Sequence, residues 1–216
     1  MARALAETDY VATSVGSASI RHVIPHLARE CVRRRREEPN RTPFDLILAE
    51  NIHDGAAVVG SLLREQTPAD LPDDAFPGVV ECSVGKMVPI VPEELRSREP
   101  TTVLAEPYNT LILDSKAWKN PIPELPELSP VKNIAAYVDR KLFIHNLGHA
   151  AAAYLGYARL PQCTFLWEVL EEREVFTTAQ RAMECSAEAL RQAYPDSFRR
   201  EQLEEHRSEE HTSELQ

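Results

Sequence analysis

The sequence predicts an α/β part followed by an all-α part. Two observations support this prediction. Over residues 1–128, short apolar segments alternate with segments of helical periodicity, which is typical of parallel strands joined by crossover helices. From residue 129 onward, apolar residues recur only at helical spacing. We therefore expect two domains, one over residues 1–128 and one over residues 129–206.

Three strands and two helices make up the beginning of this pattern. Each predicted strand is a short apolar run, and each predicted helix has apolar residues three and four positions apart. The strands are expected at residues 10–14, 44–51 and 78–83, and the helices from Ser17 or Ser19 to Pro39 and over residues 55–64. This β-α-β-α-β order favours a parallel sheet with right-handed crossovers, as in half of a Rossmann-type domain.

The glycines indicate which half is present. None of the seven, at positions 16, 55, 60, 78, 85, 148 and 156, forms the GxGxxG turn that binds the pyrophosphate of a dinucleotide. We therefore interpret residues 1–128 as the C-terminal, nicotinamide-side half of a Rossmann-type sheet domain. Met1 is interpreted as an internal or artificial start, because the first strand follows it almost at once.

Two further segments complete the predicted elements. Residues 86–128 are proline-rich and carry short apolar runs at 102–105 and 110–113, which we interpret as irregular extended strands at the sheet edge. Ser129 and Pro130 suit the N-cap and first position of a helix. We predict a long helix from Ser129 to Tyr157, with Gly148 and Gly156 as kink and stop, and further helices at residues 166–170, 175–193 and 198–203.

Charge and composition exclude several classes of partner. Acidic residues outnumber basic ones 34 to 24, so the surface should repel nucleic acid and anionic membranes. The basic run at residues 33–36 is interpreted as a solvated helix end. No stretch approaches the roughly 20 apolar residues of a membrane span, and no signal-peptide pattern is present. We expect a cytoplasmic protein that binds neither nucleic acid nor membrane.

The cysteines and the last residues add two expectations. Cys31, Cys82, Cys163 and Cys185 form no CxxC or CxxH pair of the kind that holds zinc, so we expect reduced, mostly buried thiols and no metal. Residues 207–216, RSEEHTSELQ, match the translation of a common sequencing adapter. We interpret them as a read-through scar and exclude them from the fold.

Within the predicted long helix, Lys141, Asn146 and His149 form a K-x4-N-x2-H pattern. At about 100° per residue, His149 lies about 80° and Asn146 about 140° around an α-helix from Lys141, so all three can face one cleft. A lysine screened from water has a lowered pKa and can accept the proton of an alcohol. An asparagine amide can donate to the developing carbonyl oxygen, and a histidine can orient it. With a cofactor as hydride acceptor, this set suits metal-free oxidation of a secondary alcohol.

The string over residues 139–156, DRKLFIHNLGHAAAAYLG, resembles the signature of the polyol-specific long-chain dehydrogenases, the mannitol dehydrogenase family. The resemblance extends from Thr8 to about His206. It implies NAD as cofactor, Lys141 as general base, Asn146 in the oxyanion hole and His149 as substrate ligand. It also implies that residues 129–206 begin a helical substrate domain like that of 6-phosphogluconate dehydrogenase. The string is most similar to members that interconvert mannitol 1-phosphate and fructose 6-phosphate.

Further positions match the family one by one. Asn51 corresponds to a second oxyanion asparagine, and Ser14, Val15 and Gly16 match the loop that contacts the nicotinamide ribose. Both lie beyond predicted strand ends, where ligands bind in open parallel sheets. Many relatives carry an acidic residue and an arginine before the Ile/Val-Pro that follows the third strand, whereas this chain reads VGKMVP over residues 84–89. Because this segment is expected beside the active-site cleft, we expect Lys86 to touch substrate.

Several alternatives remain open at this point. The substrate could be free mannitol or a hexonate such as altronate, and basic residues of further C-terminal helices would decide whether a phosphate is bound. A non-catalytic helical binding protein is a rival of another class. Asn51 could simply make a turn, and His145 could also touch substrate. Because we expect the family's dinucleotide-binding half and distal helices to lie outside the chain, we expect the chain alone to be inactive and marginally folded.

Overall fold

The computed structural model of the chain describes residues 2–85, 88–105 and 110–198. The chain divides into two compact units, Met1–Ile134 and Ala135–Gln216. Within the described ranges, no helix is both long enough and apolar enough to cross a membrane.

The first unit is a five-stranded sheet with helices between its first three strands. Its elements are α1 (Ala2–Glu7), β1 (Tyr10–Thr13), α2 (Ile20–Glu37), β2 (Asp45–Leu48), α3 (Gly55–Glu65), a 3-10 turn (Asp73–Ala75), β3 (Gly78–Ser83), α4 (Glu93–Arg98), β4 (Leu111–Asp114) and β5 (Leu128–Val131). The strands lie in the order β1-β2-β3-β4-β5, and β1, β2 and β3 are mutually parallel. The predicted β-α-β-α-β order is therefore confirmed.

The apolar core lies on both sides of β2. Leu46 and Leu48 belong to a cluster with α1, α2 and α3, whereas Ile47 packs with residues of β3 and β4. Successive side chains of a strand point to opposite faces, so β2 is covered on both. This explains why its sequence is a continuous apolar run rather than an alternating one.

A buried carboxylate at the start of β2 fixes a loop to the sheet. Asp45 has no exposed surface. Its Oδ1 accepts the backbone N–H of Lys119 at 2.7 Å, and its Oδ2 accepts the backbone and side-chain N–H groups of Asn120, both at 2.9 Å. Gly78 of β3 leaves the space that this contact needs, because a Cβ there would collide with Asp45 Oδ1 and the carbonyl oxygen of Ala117.

The structure corrects the prediction for residues 86–130 in three ways. β4 runs antiparallel to β3, so the sheet is mixed. Residues 93–98 are helical, and residues 102–105 are in no strand. Ser129 and Pro130 do not start a helix, because they pair with Ile112 and Leu113 of β4 as part of β5. A proline is tolerated there because β5 is an edge strand of the sheet that the described residues form.

The prediction of a solvated helix end at residues 33–36 is wrong for Arg34, which is only 4% exposed. Its guanidinium donates to the backbone oxygens of Leu5, at 2.7 Å, and Thr8, and to the carboxylate of Glu30 at 2.8 Å. Helix α1, which sequence analysis did not predict, covers this side chain. The cation therefore caps the carbonyls at the end of α1 instead of facing solvent.

The expectation of mostly buried thiols holds for two of the four cysteines. Cys31 and Cys82 are buried, and burial raises the pKa of each thiol to about 12. Cys163 is partly exposed and Cys185 is exposed. All four are free thiols.

The second unit is helical. It contains α5 (Ile134–Arg140), a π turn (Lys141–Asn146), α6 (Leu147–Arg159), α7 (Leu166–Leu170) and α8 (Arg173–Ala193). The predicted helix at residues 166–170 is confirmed. The helix predicted for residues 198–203 falls almost wholly outside the described residues, as does the tail at 207–216.

The two glycines of α6 are packing positions. Helix α6 passes through Gly156 and ends at Arg159, so the predicted stop is wrong. A Cβ at Gly156 would lie 2.6 Å from Val169 Cγ1 of α7, and one at Gly148 would lie 2.7 Å from the sulfur of Met183 in α8. Both glycines therefore allow neighbouring helices to approach α6 closely. The irregularity expected at Gly148 occurs earlier, at the π turn.

Candidate active site

The carboxyl ends of β1 and β2 place two predicted ligand loops at the same edge of the sheet. Ser14, Val15 and Gly16 follow β1 and are exposed, and Asn51 follows β2 and is also exposed. Because the two strands are parallel neighbours, their following loops are adjacent. Lys86, predicted beyond β3, lies outside the described residues.

The loop after β1 is held by a residue that sequence analysis did not single out. Glu50 is 7% exposed. Its Oε1 accepts the backbone N–H of Val15 at 2.8 Å, and its Oε2 accepts that of Gly16 at 2.9 Å. The sequence feature that could have indicated this role is the position of Glu50, a carboxylate between an apolar strand and Asn51.

Gly16 gives this loop its shape. Its φ of 84° lies in the left-handed region, which glycine adopts without steric cost. No atom of the described residues lies within 4 Å of a Cβ built at this position. The loop therefore exposes backbone to open space at the ligand side of the sheet, as close approach of a cofactor requires.

A tight turn connects Asn51 to α3. Asp54 has a φ of 51°, and its carboxylate lies 2.9 Å from Nδ1 of His53. Asp54 stands at the N-cap of α3, but its side chain makes no hydrogen bond to the first turn of that helix. This turn directs the chain from the strand end into the helix within six residues.

In the second unit, the π turn changes the geometry expected for the K-x4-N-x2-H pattern. Backbone hydrogen bonds of a π turn join residues five apart, so Lys141 and Asn146 lie about one turn apart on the same side. In an α-helix they would lie about 140° apart. His149, three residues after Asn146, continues that side into α6. The three residues thus share a narrower arc than the sequence predicted.

The Lys141 amine is electrostatically suited to accept a proton. The side chain is half-buried, and burial lowers its pKa below the ordinary value of lysine because the charged form loses hydration. Nearby, Ile144 of the same turn is fully buried against Met183 and Leu190 of α8. The neutral amine is therefore available at a lower pH than on a free lysine.

A second histidine adjoins His149. His145 packs edge-to-face on its ring, with the ring centroids 4.5 Å apart. The two residues are one helical turn apart, so the contact follows from the backbone. Whether His145 also touches substrate stays a prediction.

Contacts with the end of α8 anchor the residues just before Lys141. The Tyr194 hydroxyl donates to Asp139 Oδ2, and this bond raises the pKa of Tyr194. The Arg140 guanidinium lies over the Tyr137 ring, 5.0 Å from its centroid, and 5.6 Å from that of Phe198. The backbone that carries Lys141 is therefore fixed from the side preceding the π turn.

Comparison with known proteins identifies the family of this chain. A family model described as the mannitol dehydrogenase Rossmann domain matches residues 1–127. The chain belongs to the mannitol dehydrogenase family. Membership of the mannitol dehydrogenase family confirms the resemblance seen in the sequence and the Rossmann-type assignment of the sheet.

One similar solved structure is Pseudomonas fluorescens mannitol 2-dehydrogenase in a ternary complex with NAD and D-mannitol. The two share 17% identity, with a TM-score of 0.67. The match covers 97% of this chain and 49% of that one, so this mannitol dehydrogenase family member spans about half the length of the matched protein. The similarity confirms the fold class, an α/β sheet domain followed by helices.

The structure groups the predicted site residues in two sets. Within the first unit, Ser14, Val15 and Gly16 lie beside the Glu50–Asn51 segment. Within the second unit, Lys141, Asn146 and His149 share one side of a helix. The part of the chain that the structure describes contains no group of three histidine, cysteine or carboxylate side chains close enough to bind a metal.

Proposed function

We propose that the chain belongs to an NAD-dependent, metal-independent oxidoreductase that interconverts mannitol 1-phosphate and fructose 6-phosphate, a mannitol-1-phosphate 5-dehydrogenase. The observation that carries the proposal is the half-buried Lys141, with its lowered pKa, in register with Asn146 and His149 on the π turn. Membership of the mannitol dehydrogenase family supports the reaction class.

In the proposed oxidation, the proton of the substrate hydroxyl passes to Nζ of Lys141 while the carbon gives up its hydride. Asn146 donates a hydrogen bond to the oxygen as it becomes a carbonyl, and His149 orients that oxygen. NAD, when bound, supplies the hydride acceptor. The alcohol thus loses one proton and one hydride and becomes the ketone, which balances the reaction.

The first unit fits the role of cofactor-binding half. The loop of Ser14, Val15 and Gly16 is exposed at the carboxyl ends of parallel strands, with open space beside Gly16. We assign these residues and Asn51 to the nicotinamide side of NAD. Asn51 would also donate to the substrate oxygen, as the family resemblance implies.

Oxidation of free mannitol by a mannitol 2-dehydrogenase is the second candidate. It is supported by the fold shared with Pseudomonas fluorescens mannitol 2-dehydrogenase, whose structure contains D-mannitol and NAD. The chemistry at Lys141 would be the same, and only the groups that bind the far end of the substrate would differ.

The test is NAD reduction with mannitol 1-phosphate, mannitol and altronate, measured on the natural protein in which this sequence occurs and on the 216-residue chain. Activity on the phosphate that survives a chelator and is lost in Lys141→Ala supports the proposal. Activity only on an unphosphorylated polyol moves the assignment to that substrate. Undiminished activity in Lys141→Ala would refute the mechanism, and binding without turnover by the natural protein would favour the non-catalytic alternative.

A further inference from the structure

Glu50 bridges the two ligand loops at the carboxyl edge of the sheet. Its two carboxylate oxygens each accept one backbone N–H, from Val15 at 2.8 Å and from Gly16 at 2.9 Å. These residues precede Glu50 in the sequence by 35 and 34 positions. Such hydrogen bonds to a charged acceptor are about twice as strong as neutral ones. The conformation of the loop after β1 is therefore tied to a side chain at the end of β2.

The carboxylate of Glu50, like that of Asp45, is buried and accepts N–H groups. Glu50 is 7% exposed, and its partners in the described ranges are the two backbone N–H groups, with no lysine or arginine paired to it. Burying a carboxylate without a cation is costly, so the two bonds to backbone N–H groups are needed to offset that cost. Two successive N–H groups that converge on one point form a nest that attracts anions.

The geometry points to Glu50 as a positioning residue for the cofactor loop, and we propose that it sets the backbone of Val15 and Gly16 for NAD. This inference rests on the proposed function, because it takes the loop to be the cofactor loop. Glu50 fills the nest itself, so the loop is held in its ligand-ready form before any ligand arrives, and less conformational entropy is lost on binding.

The same contact bears on Asn51. Asn51 follows Glu50 directly in the chain, so the segment that carries its side chain is fixed by the bonds that Glu50 makes. A change at Glu50 therefore acts on both loops at once. It does not remove a group that we assign to proton or hydride transfer.

The test compares Glu50→Gln with Glu50→Asp and with the control Glu81→Gln. The Gln variant keeps the size of the side chain but turns one acceptor into an N–H donor, which faces a backbone donor. The Asp variant keeps the charge, but its side chain is one methylene group shorter. Glu81 is a half-buried glutamate on β3 that is remote in sequence from both loops. Two quantities are measured: the Kd of NAD, and amide hydrogen exchange at Val15, Gly16 and the strands of the sheet.

We expect Glu50→Gln to raise the Kd of NAD about tenfold, the scale of one hydrogen bond to a charged group. Exchange at Val15 and Gly16 should accelerate by a similar factor, with exchange in β2 and β3 unchanged. The Asp variant should recover part of the affinity, and Glu81→Gln should match the wild type.

Two results would overturn the inference. The first is a wild-type Kd for NAD in Glu50→Gln, and the second is acceleration of exchange throughout the sheet, which would mean that Glu50 only stabilises the fold. Failure of the wild-type natural protein to bind NAD would instead refute the proposed function. The exchange rates at Val15 and Gly16 would still show whether Glu50 holds the loop.

Discussion

Replacing Asp45 with alanine should destabilise the first unit through three lost hydrogen bonds. The fully buried carboxylate accepts the backbone N–H of Lys119 and two N–H groups of Asn120. A buried donor left without an acceptor costs about 1–3 kcal/mol. Lys119 is exposed and Asn120 is half-buried, so water can reach part of this set. We therefore expect a loss of about 2–4 kcal/mol in the free energy of unfolding.

Urea unfolding followed by far-UV circular dichroism measures this loss. With an m-value of about 2 kcal/mol per molar urea, the middle of the usual range, the midpoint should fall by about 1–2 M. Asp45→Asn, which keeps one acceptor, should lie between the wild type and Asp45→Ala. Asp70→Ala, at an exposed position, is the control. A change below about 0.5 kcal/mol in Asp45→Ala, the range of ordinary surface substitutions, would refute the argument.

Three other predictions concern Lys141 and two helix glycines, Gly156 and Gly60. Because burial lowers the pKa of Lys141, the rate of polyol oxidation should rise with pH and level off at a pH below the ordinary lysine pKa. Lys141→Ala should abolish this rise and lower kcat by about 10²–10⁴-fold. The folded state binds the Lys141 proton less tightly than the unfolded state does. The free energy of unfolding of the wild type should therefore rise with pH between the lowered and the ordinary pKa of Lys141. Thermal melts of Lys141→Met should show no such rise. Gly156→Ala should cost about 1–3 kcal/mol, because its Cβ would overlap the rigid side chain of Val169. Gly60→Ala, with nothing within 4 Å, should stabilise α3 by about 0.5–1 kcal/mol; equal effects of the two glycine variants in urea unfolding would contradict the packing argument.

The strands and helices with strong local patterns could be predicted from the sequence. The strand at residues 78–83 and the helix at 166–170 match residue for residue, because turn residues or caps bound them. The direction of β4 could not be predicted, because its short apolar run fits a strand of either direction. Ser129 and Pro130 suit both a helix start and an edge strand, and pairing with β4 decides between them.

The sequence likewise indicates only part of the candidate site. Lys141, Asn146 and His149 could be proposed from the sequence because their chemistry and spacing are local. Glu50 was missed, because its bonds join residues 34 and 35 positions apart and no local pattern signals them. The π turn was also missed. Over a single turn, the spacing of apolar residues does not show whether the backbone hydrogen bonds join residues five apart or four apart.

The π turn has a consequence for chain length at this point. Relative to a continuous α-helix, Lys141–Asn146 contains one extra residue, so the buried face of α5 and that of α6 are out of phase by one position. Deleting one residue here, such as the exposed Phe143, would remove the offset and allow a single regular helix. The same deletion within α6 would rotate everything after it by about 100° and strip the packing of Ala152. A one-residue deletion should therefore destabilise the helical unit least when it falls within this turn. Such a deletion would still change the orientation of the Lys141 side chain.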